Sequence, residues 1–234
     1  MIASINTPSG RAGLHSGLAE DETLDDLRLR LAPFVATNAA FDGWSPGAVQ
    51  LAADSLGVDR DVAALAFAGG ATSMIDAWFA SIDAAMTGAL PAEQLAAMKI
   101  RERITALVEV RLAMLAPHRE ALRRAQGVLA MPANLGCAAQ LGWRAADVMW
   151  RAAGDRSTDY NHYTKRATLG AVYAATLLVF VNYESDDFAD TRAFLARRID
   201  GIMRFEKAKA RFTAKPDQHF SMSRFLGRLR YRGR

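Results

Sequence analysis

The chain has 234 residues, 51% of them apolar and 23% charged, with a formal net charge of +4 and one cysteine, Cys137. That is enough chain for a sizeable core, and too apolar a composition for a disordered protein. A single cysteine excludes a disulfide framework and a cysteine-cluster metal site and fits a reducing compartment, while the dominance of Ala and Leu over β-branched residues predicts an all-α protein.

The opening stretch, "MIASINTPSGRAGLHSGLAEDE", is rich in Ser, Gly and Pro and has no apolar core of the kind a secretory signal needs. It predicts a flexible arm over residues 1–22. A first amphipathic helix follows over residues 24–38. In "GWSPGAVQLAADSLGV" Ser45 is placed as N-cap, Pro46 as first helical residue and Gly57 as C-cap of a second helix. A short helix is predicted near residues 61–67, then helices over 71–89 and 91–116, the latter with Lys99, Arg101, Glu102 and Arg103 on its wet face. Pro117 and Pro132 are each read as the first residue of a helix, running to 131 and 153. Two more helices are predicted over 158–183 and 187–212, with Pro216 breaking the second before a final short helix. The uncharged run "ATLGAVYAATLLVFV", residues 167–181, is too short to span a bilayer and predicts a buried core helix. About nine to ten helices are expected, in three parts: the arm 1–22, a helical domain 23–213 and a basic segment 214–234.

The charge is unevenly placed. Residues 204–234 carry ten Lys/Arg against Glu206 and Asp217, a balance of +8, so the remainder sums to −4. A basic end on a mildly acidic body points to an anionic surface, phosphate backbone or lipid headgroups.

Helix, capped helix, tight turn and short helix form a helix-turn-helix pattern, and with long helices behind it the head resembles the TetR-type regulators. The candidate recognition helix, "RDVAALAFAGG", offers little beyond Arg60 and Asp61 that could read a base edge. A degenerate head and no nucleic-acid partner are expected.

Enzyme signatures are absent: no H-E-x-x-H, nucleophile elbow, Walker loop or dinucleotide fingerprint occurs. His15 falls in the arm, His219 in the basic tail, and His118 at a helix start where solvation is expected. Asp159 and His162, three apart, read as a capping pair before a catalytic one. Cys137 has no histidine on its helix to activate it. No catalytic residue, metal ligand or cofactor is expected.

Two other patterns carry more. Leu135, Ala139, Trp143, Ala146, Trp150 and Ala153 recur at steps of three and four on one helical face, beside Met149, Tyr160 and Tyr163. Wide side chains alternating with alanine fit a core stripe and equally the lining of an apolar pocket. At the end of the chain Met222, Phe225, Leu226 and Leu229 stand on one helical face flanked by Arg224, Arg228 and Arg230. That pattern fits an interfacial membrane helix, or an ordinary terminal helix docked on the body with its basic residues solvated.

The block "DVMWRAAGDRSTDYNHYTKRATLGAVYAATL" resembles the signature of the coenzyme Q (ubiquinone) biosynthesis accessory proteins, the coenzyme Q nine family. "FDGWSPGAVQLAADSLGV", "MKIRERITALVEVRLAMLAPHREALRRA" and "DTRAFLARRIDGIMRFEKAKARF" are similar to it as well, so the likeness covers roughly residues 24–212. It is to the bacterial branch, without a mitochondrial presequence. The resemblance implies a TetR-like all-α fold that no longer acts on DNA and a hydrophobic pocket for isoprenoid quinone precursors or phospholipid. It also implies docking on the di-iron demethoxyubiquinone hydroxylase and a C-terminal helix touching the membrane. Carried onto this chain, the docking patch falls on Met149, Trp150 and the pair His162–Tyr163, with Asp147 beside it. Where the family usually has Trp-Tyr, this chain has His-Tyr, which removes a large apolar anchor. The pocket is expected at Trp143, Ala146, Trp150, Tyr173 and Leu177, with Met149 at its gate. Apolar faces near residues 168–181 and 194–203 suggest, by analogy, a homodimer. The expected function is a non-enzymatic lipid-binding accessory factor, cytoplasmic and peripheral on the inner membrane; a ligand-responsive TetR-like transcriptional regulator is the alternative.

Overall fold

The structure, a computed structural model, describes residues 22–213 except Asp159 and Glu184, with side chains as far as Arg204 apart from Met203. The expectations for residues 1–21, for Asp159 and for the segment 214–234 with Met222, Arg224, Phe225, Leu226, Arg228 and Leu229 lie outside the described residues. Glu22, expected as the last residue of the arm, is fixed by two 2.7 Å hydrogen bonds from Arg30.

Ten α-helices and no strand occur among the described residues. Helix α1 is Leu24–Asp42, opened by a capping box in which Thr23 and Asp26 satisfy each other's backbone N–H. It runs past the predicted stop at Asn38, because that side chain donates back to the Phe34 carbonyl and the helix ends only at Gly43, φ +69°. Helix α2 (Pro46–Leu56) is capped by Ser45 and closed by Gly57 in the left-handed region, as the sequence predicts. Helices α3 (Arg60–Ala66) and α4 (Ala71–Ala89) follow.

The single helix predicted over 91–116 is instead two, α5 (Ala92–Ala96) and α6 (Ile100–Leu115). The side chains that looked like a wet face are what stabilise the break. Glu102 accepts the Lys99 N–H at 2.9 Å, and Arg103 donates to the Ala96 and Met98 carbonyls at 3.0 and 2.9 Å. Pro117 and Pro132 lie in 3₁₀ turns (Ala116–His118 and Pro132–Asn134) that precede α7 (Arg119–Leu129) and α8 (Leu135–Ala152). The last two helices are α9 (Tyr160–Asn182) and α10 (Ala189–Thr213).

Helix α1 is wrapped by α2, α3, α4 and α7, while α4 also reaches α6 and α8, so one core joins head and body. Trp78 lies at its centre, 5.3 Å ring to ring from both Trp44 and Phe79. The indole N–H of Trp44 donates to the Ala121 carbonyl at 3.1 Å. His118 is not solvated as expected: it is half-buried, edge-on to Trp78 at 6.1 Å, and burial lowers its pKa. The arrangement is an all-α, TetR-like fold. In its head, the one cation of α3, Arg60, is engaged by both oxygens of Asp54 at 2.8 and 2.6 Å.

Helix α9 is the one helix among the described residues long and apolar enough to cross a membrane on its own. It packs against α6, α7, α8 and α10 and buries Arg166, the behaviour of a core helix.

Candidate functional site

The site is built on the α8–α9 pair. Gly142 and Gly170 face each other where the helices touch, and a Cβ at Gly170 would lie 3.2 Å from the Gly142 carbonyl oxygen and 3.8 Å from the Ala146 Cβ. The backbones approach this closely because Gly170 carries no side chain, whereas a Cβ at Gly142 would meet open space. On one side of the seam opens an apolar cavity of about 290 Å³, walled by Phe79, Leu122, Leu129, Leu141, Tyr173 and Leu177. Leu135 and Leu178, both more than half exposed, stand at its rim. Ligand pockets run from about 300 to 1,000 Å³, so this one stands at the small end of that range.

A charged network lies under the pocket. Arg111, fully buried, donates from Nε to the Tyr173 hydroxyl at 2.9 Å, stacks over that ring and pairs with Asp83. Arg144 reaches the same carboxylate at 3.3 Å and Asp76 at 2.5 Å. Burial works against the Arg111 cation, but Tyr173 and Asp83 outweigh it and raise its pKa; burial likewise raises that of Tyr173, so the phenol stays neutral.

A second network fixes the turn between α8 and α9. Arg166, 2% exposed, donates from Nε to Asp147 at 2.5 Å and from Nη1 to Asp155 and to the His162 carbonyl, both at 3.2 Å. Asp155 also accepts from Lys165 at 2.8 Å and from Ser157 at 2.7 Å. Burial pushes the Asp155 pKa up, but the hydrogen bonds from Lys165, Ser157 and Arg166 prevail and hold it at about 2. Lowering a carboxyl from 3.8 to about 2 corresponds to ~2 kcal/mol of folding stability. A depressed folded pKa gives stability that is complete above the unfolded value and lost as pH falls through the folded one. Asp155→Asn is therefore expected to lower the unfolding free energy near neutral pH by ~2 kcal/mol, with the gap from wild type closing between about pH 4 and pH 2. Urea titrations across that window check it; a gap independent of pH would show that the carboxylate is not the source.

The residues expected to bind lipid divide. Tyr173 and Leu177 line the cavity. Ala146 packs beneath Gly170, and Trp150 is turned away, its indole N–H donating to the Lys165 carbonyl at 3.0 Å. Trp143, 37% exposed, faces the surface, where its ring is 6.5 Å from His162 and 6.1 Å from Tyr163. The residues expected to dock a partner divide too. Met149 is wholly buried and Trp150 nearly so, because this face of α8 packs into the core; neither presents a contact surface. Their place at the surface is taken by Trp143, with His162 and the 60%-exposed Tyr163, whose rings lie 5.1 Å apart edge-on. Asp147 is committed to Arg166 and to Arg151, the latter at 2.9 Å. His162 holds its place with Nδ1–H donating to the Ser157 carbonyl at 2.9 Å, since a carbonyl can only accept. Burial, with Asp76 adding to it, raises the Cys137 pKa against the opposing Arg144 charge, so the thiol is not an activated nucleophile.

The pocket walls from α4 and α7, Phe79, Leu122 and Leu129, were not singled out from the sequence. Nothing in a helix's own periodicity separates an apolar side chain facing a cavity from one facing the core.

Comparison with known proteins gives a consistent result. The COQ9 family model matches residues 136–206, which takes in α8, α9 and most of α10. The human "Ubiquinone biosynthesis protein COQ9, mitochondrial" is 33% identical over 189 residues, 78% of this chain and 59% of that protein. The rat protein of the same name is 35% identical over 168 residues, 69% of this chain and 54% of its own length. A Xenopus laevis relative, COQ9-B, reaches 42% over 96 residues, 41% of this chain and 33% of that protein. The chain thus spans less than two thirds of the length of the curated relatives it matches.

Proposed function

The chain belongs to the COQ9 family, and on that premise we propose that it is a non-enzymatic lipid-binding accessory factor of ubiquinone biosynthesis. The observation that carries this reading is the apolar cavity on the α8–α9 seam, whose walls from Ala138 to Leu178 fall within the region matched to the family and which is open to the surface at Leu135 and Leu178. Binding there needs only apolar burial: at about 25 cal/mol per Å² of apolar area, a few isoprene units inserted past Tyr173 and Leu177 gain several kcal/mol. The bound intermediate is then presented to the di-iron demethoxyubiquinone hydroxylase, for which the exposed rings of Trp143 and Tyr163, with the half-buried His162 beside them, are the contact surface we assign. The Arg-rich segment 214–234 brings the protein to anionic headgroups, a peripheral placement on the cytoplasmic side of the inner membrane. The rival reading, a transcriptional regulator, is weakened by the head itself, whose α3 pairs its cation internally and offers apolar side chains otherwise.

Native mass spectrometry of the gently purified chain tests the proposal. A neutral isoprenoid quinone is expected to co-purify, and Ala174→Trp, at the exposed rim of the cavity, is expected to reduce its occupancy about tenfold without lowering the melting temperature. A wild-type chain free of lipid, or a variant that retains it fully, overturns the reading.

A further inference from the structure

A second cavity, of about 410 Å³, lies between the start of α6, the turn after α8, the first half of α9 and α10, and shares no lining residue with the first. Its walls are apolar: Ile100, Ile104, Trp150, Leu169, Ile199 and Ile202. Its mouth is not. Arg103, Arg156 and Lys165 line it against a single acid, Asp155. That carboxylate is already shared between Lys165 and the buried Arg166, so it leaves the other two cations without an acidic partner among the described residues.

Arg103 is held in place without being neutralised. Its three nitrogens donate to the carbonyls of Met98, Ala153 and Ala96 at 2.9, 2.8 and 3.0 Å, and carbonyls carry no net charge. Gly154 makes that reach possible: its φ is +89°, and a Cβ there would lie 3.3 Å from the Arg103 Nη1. Arg156 is exposed and has no acidic partner among the described residues. The result is a preset positive mouth over an apolar chamber, the inverse of a solvated basic surface.

We propose that this cavity binds an anionic amphiphile, an apolar chain ending in a phosphate, with the chain against Ile104, Leu169, Ile199 and Ile202 and the phosphate between Arg103 and Arg156. Guanidinium groups suit a phosphate because their N–H forks match its oxygens, and an apolar chamber adds affinity for the chain that a free anion cannot use. The proposal does not rest on the lipid reading of the first cavity. A neutral isoprenoid belongs there, whereas only a charged head uses the second site.

Titration of dodecyl phosphate, kept below its micelle concentration, into the full chain tests it, followed by calorimetry and by tryptophan emission, to which Trp150 contributes from the cavity wall. Saturable binding is expected, about tenfold weaker for Arg156→Glu and abolished by Ile202→Trp, which fills the chamber. The Ala174→Trp variant, blocked at the first cavity, is expected to bind as wild type. Arg156 is a surface side chain without a partner among the described residues, so its variant is expected to keep the wild-type melting temperature and read binding alone. Dodecanol and inorganic phosphate are each expected to bind at least tenfold more weakly. Dodecanol binding as tightly as dodecyl phosphate overturns the role of the charge. Inorganic phosphate binding as tightly makes this a free-anion site and overturns the role of the chain. Binding unaffected by Arg156→Glu, or no binding at all, overturns the site.

Discussion

Arg166→Met is expected to destabilise the fold by about 3–5 kcal/mol, the usual cost of removing one partner from a buried ion pair. For a domain of this size that lowers the melting temperature by roughly 10 °C. The magnitude follows from what is left behind. Without the guanidinium, Asp147 keeps only the exposed Arg151, and Asp155 keeps Lys165 and Ser157. The His162 carbonyl also loses its side-chain donor at the first turn of α9. Arg166→Lys is expected to recover part of the loss, because an ammonium can serve one carboxylate but not span two. Thermal unfolding of the three proteins checks the order. A methionine variant melting within about 2 °C of wild type would mean the network is ornamental.

Arg111→Met is expected to cost about 3 kcal/mol for a related reason, with a different remedy. It leaves Asp83, nearly buried, with only the longer contact to Arg144, and strips the Tyr173 hydroxyl of its donor. Adding Asp83→Leu is expected to return more than half of that loss, since a buried pair replaced on both sides by apolar groups is often neutral. The cycle of single and double variants, measured in urea, isolates the pairing energy. A double variant no more stable than the single one would place the cost in packing around Tyr173 instead. The consequence reaches the proposed function, because Tyr173 is a wall of the first cavity and Arg111 fixes its ring from behind.

The helices that carry their own punctuation were legible in the sequence. Ser45, Pro46 and Gly57 bound α2 as predicted, and α4 has the limits its periodicity gives. The misses share a cause. At the break between α5 and α6, Arg103 also reaches the Ala153 carbonyl, 50 residues away, and no local pattern reports that contact. Of the stripe Leu135, Ala139, Trp143, Ala146, Trp150 and Ala153, the last three are buried as a core stripe would be, whereas Trp143 stands at the surface. One turn of α8 separates a surface indole from a buried one, and the distinction is made by α9 and by the Lys165 carbonyl, not by spacing. The second cavity was hidden for the same reason: its cations come from α6, the α8–α9 turn and α9, and only the fold brings them together. The resemblance to the coenzyme Q nine family marked the right helices. It could not say that Met149 lies beneath the surface it was expected to form.

The close approach of Gly142 and Gly170 also sets a distance. From Ala174 at the cavity rim to Tyr163 in the exposed aromatic group is eleven residues along α9, about 16 Å at the rise of an α-helix. Between them runs a shallow groove whose lining is Ala138, Ala139, Gly142, Ala167, Gly170, Ala171 and Ala174, with Trp143 and the buried Arg166 at the aromatic end. Small residues at the seam therefore do more than let two helices touch. They keep the surface low between the pocket mouth and the exposed Trp143 and Tyr163 rings, so no bulky side chain rises along that line of α9.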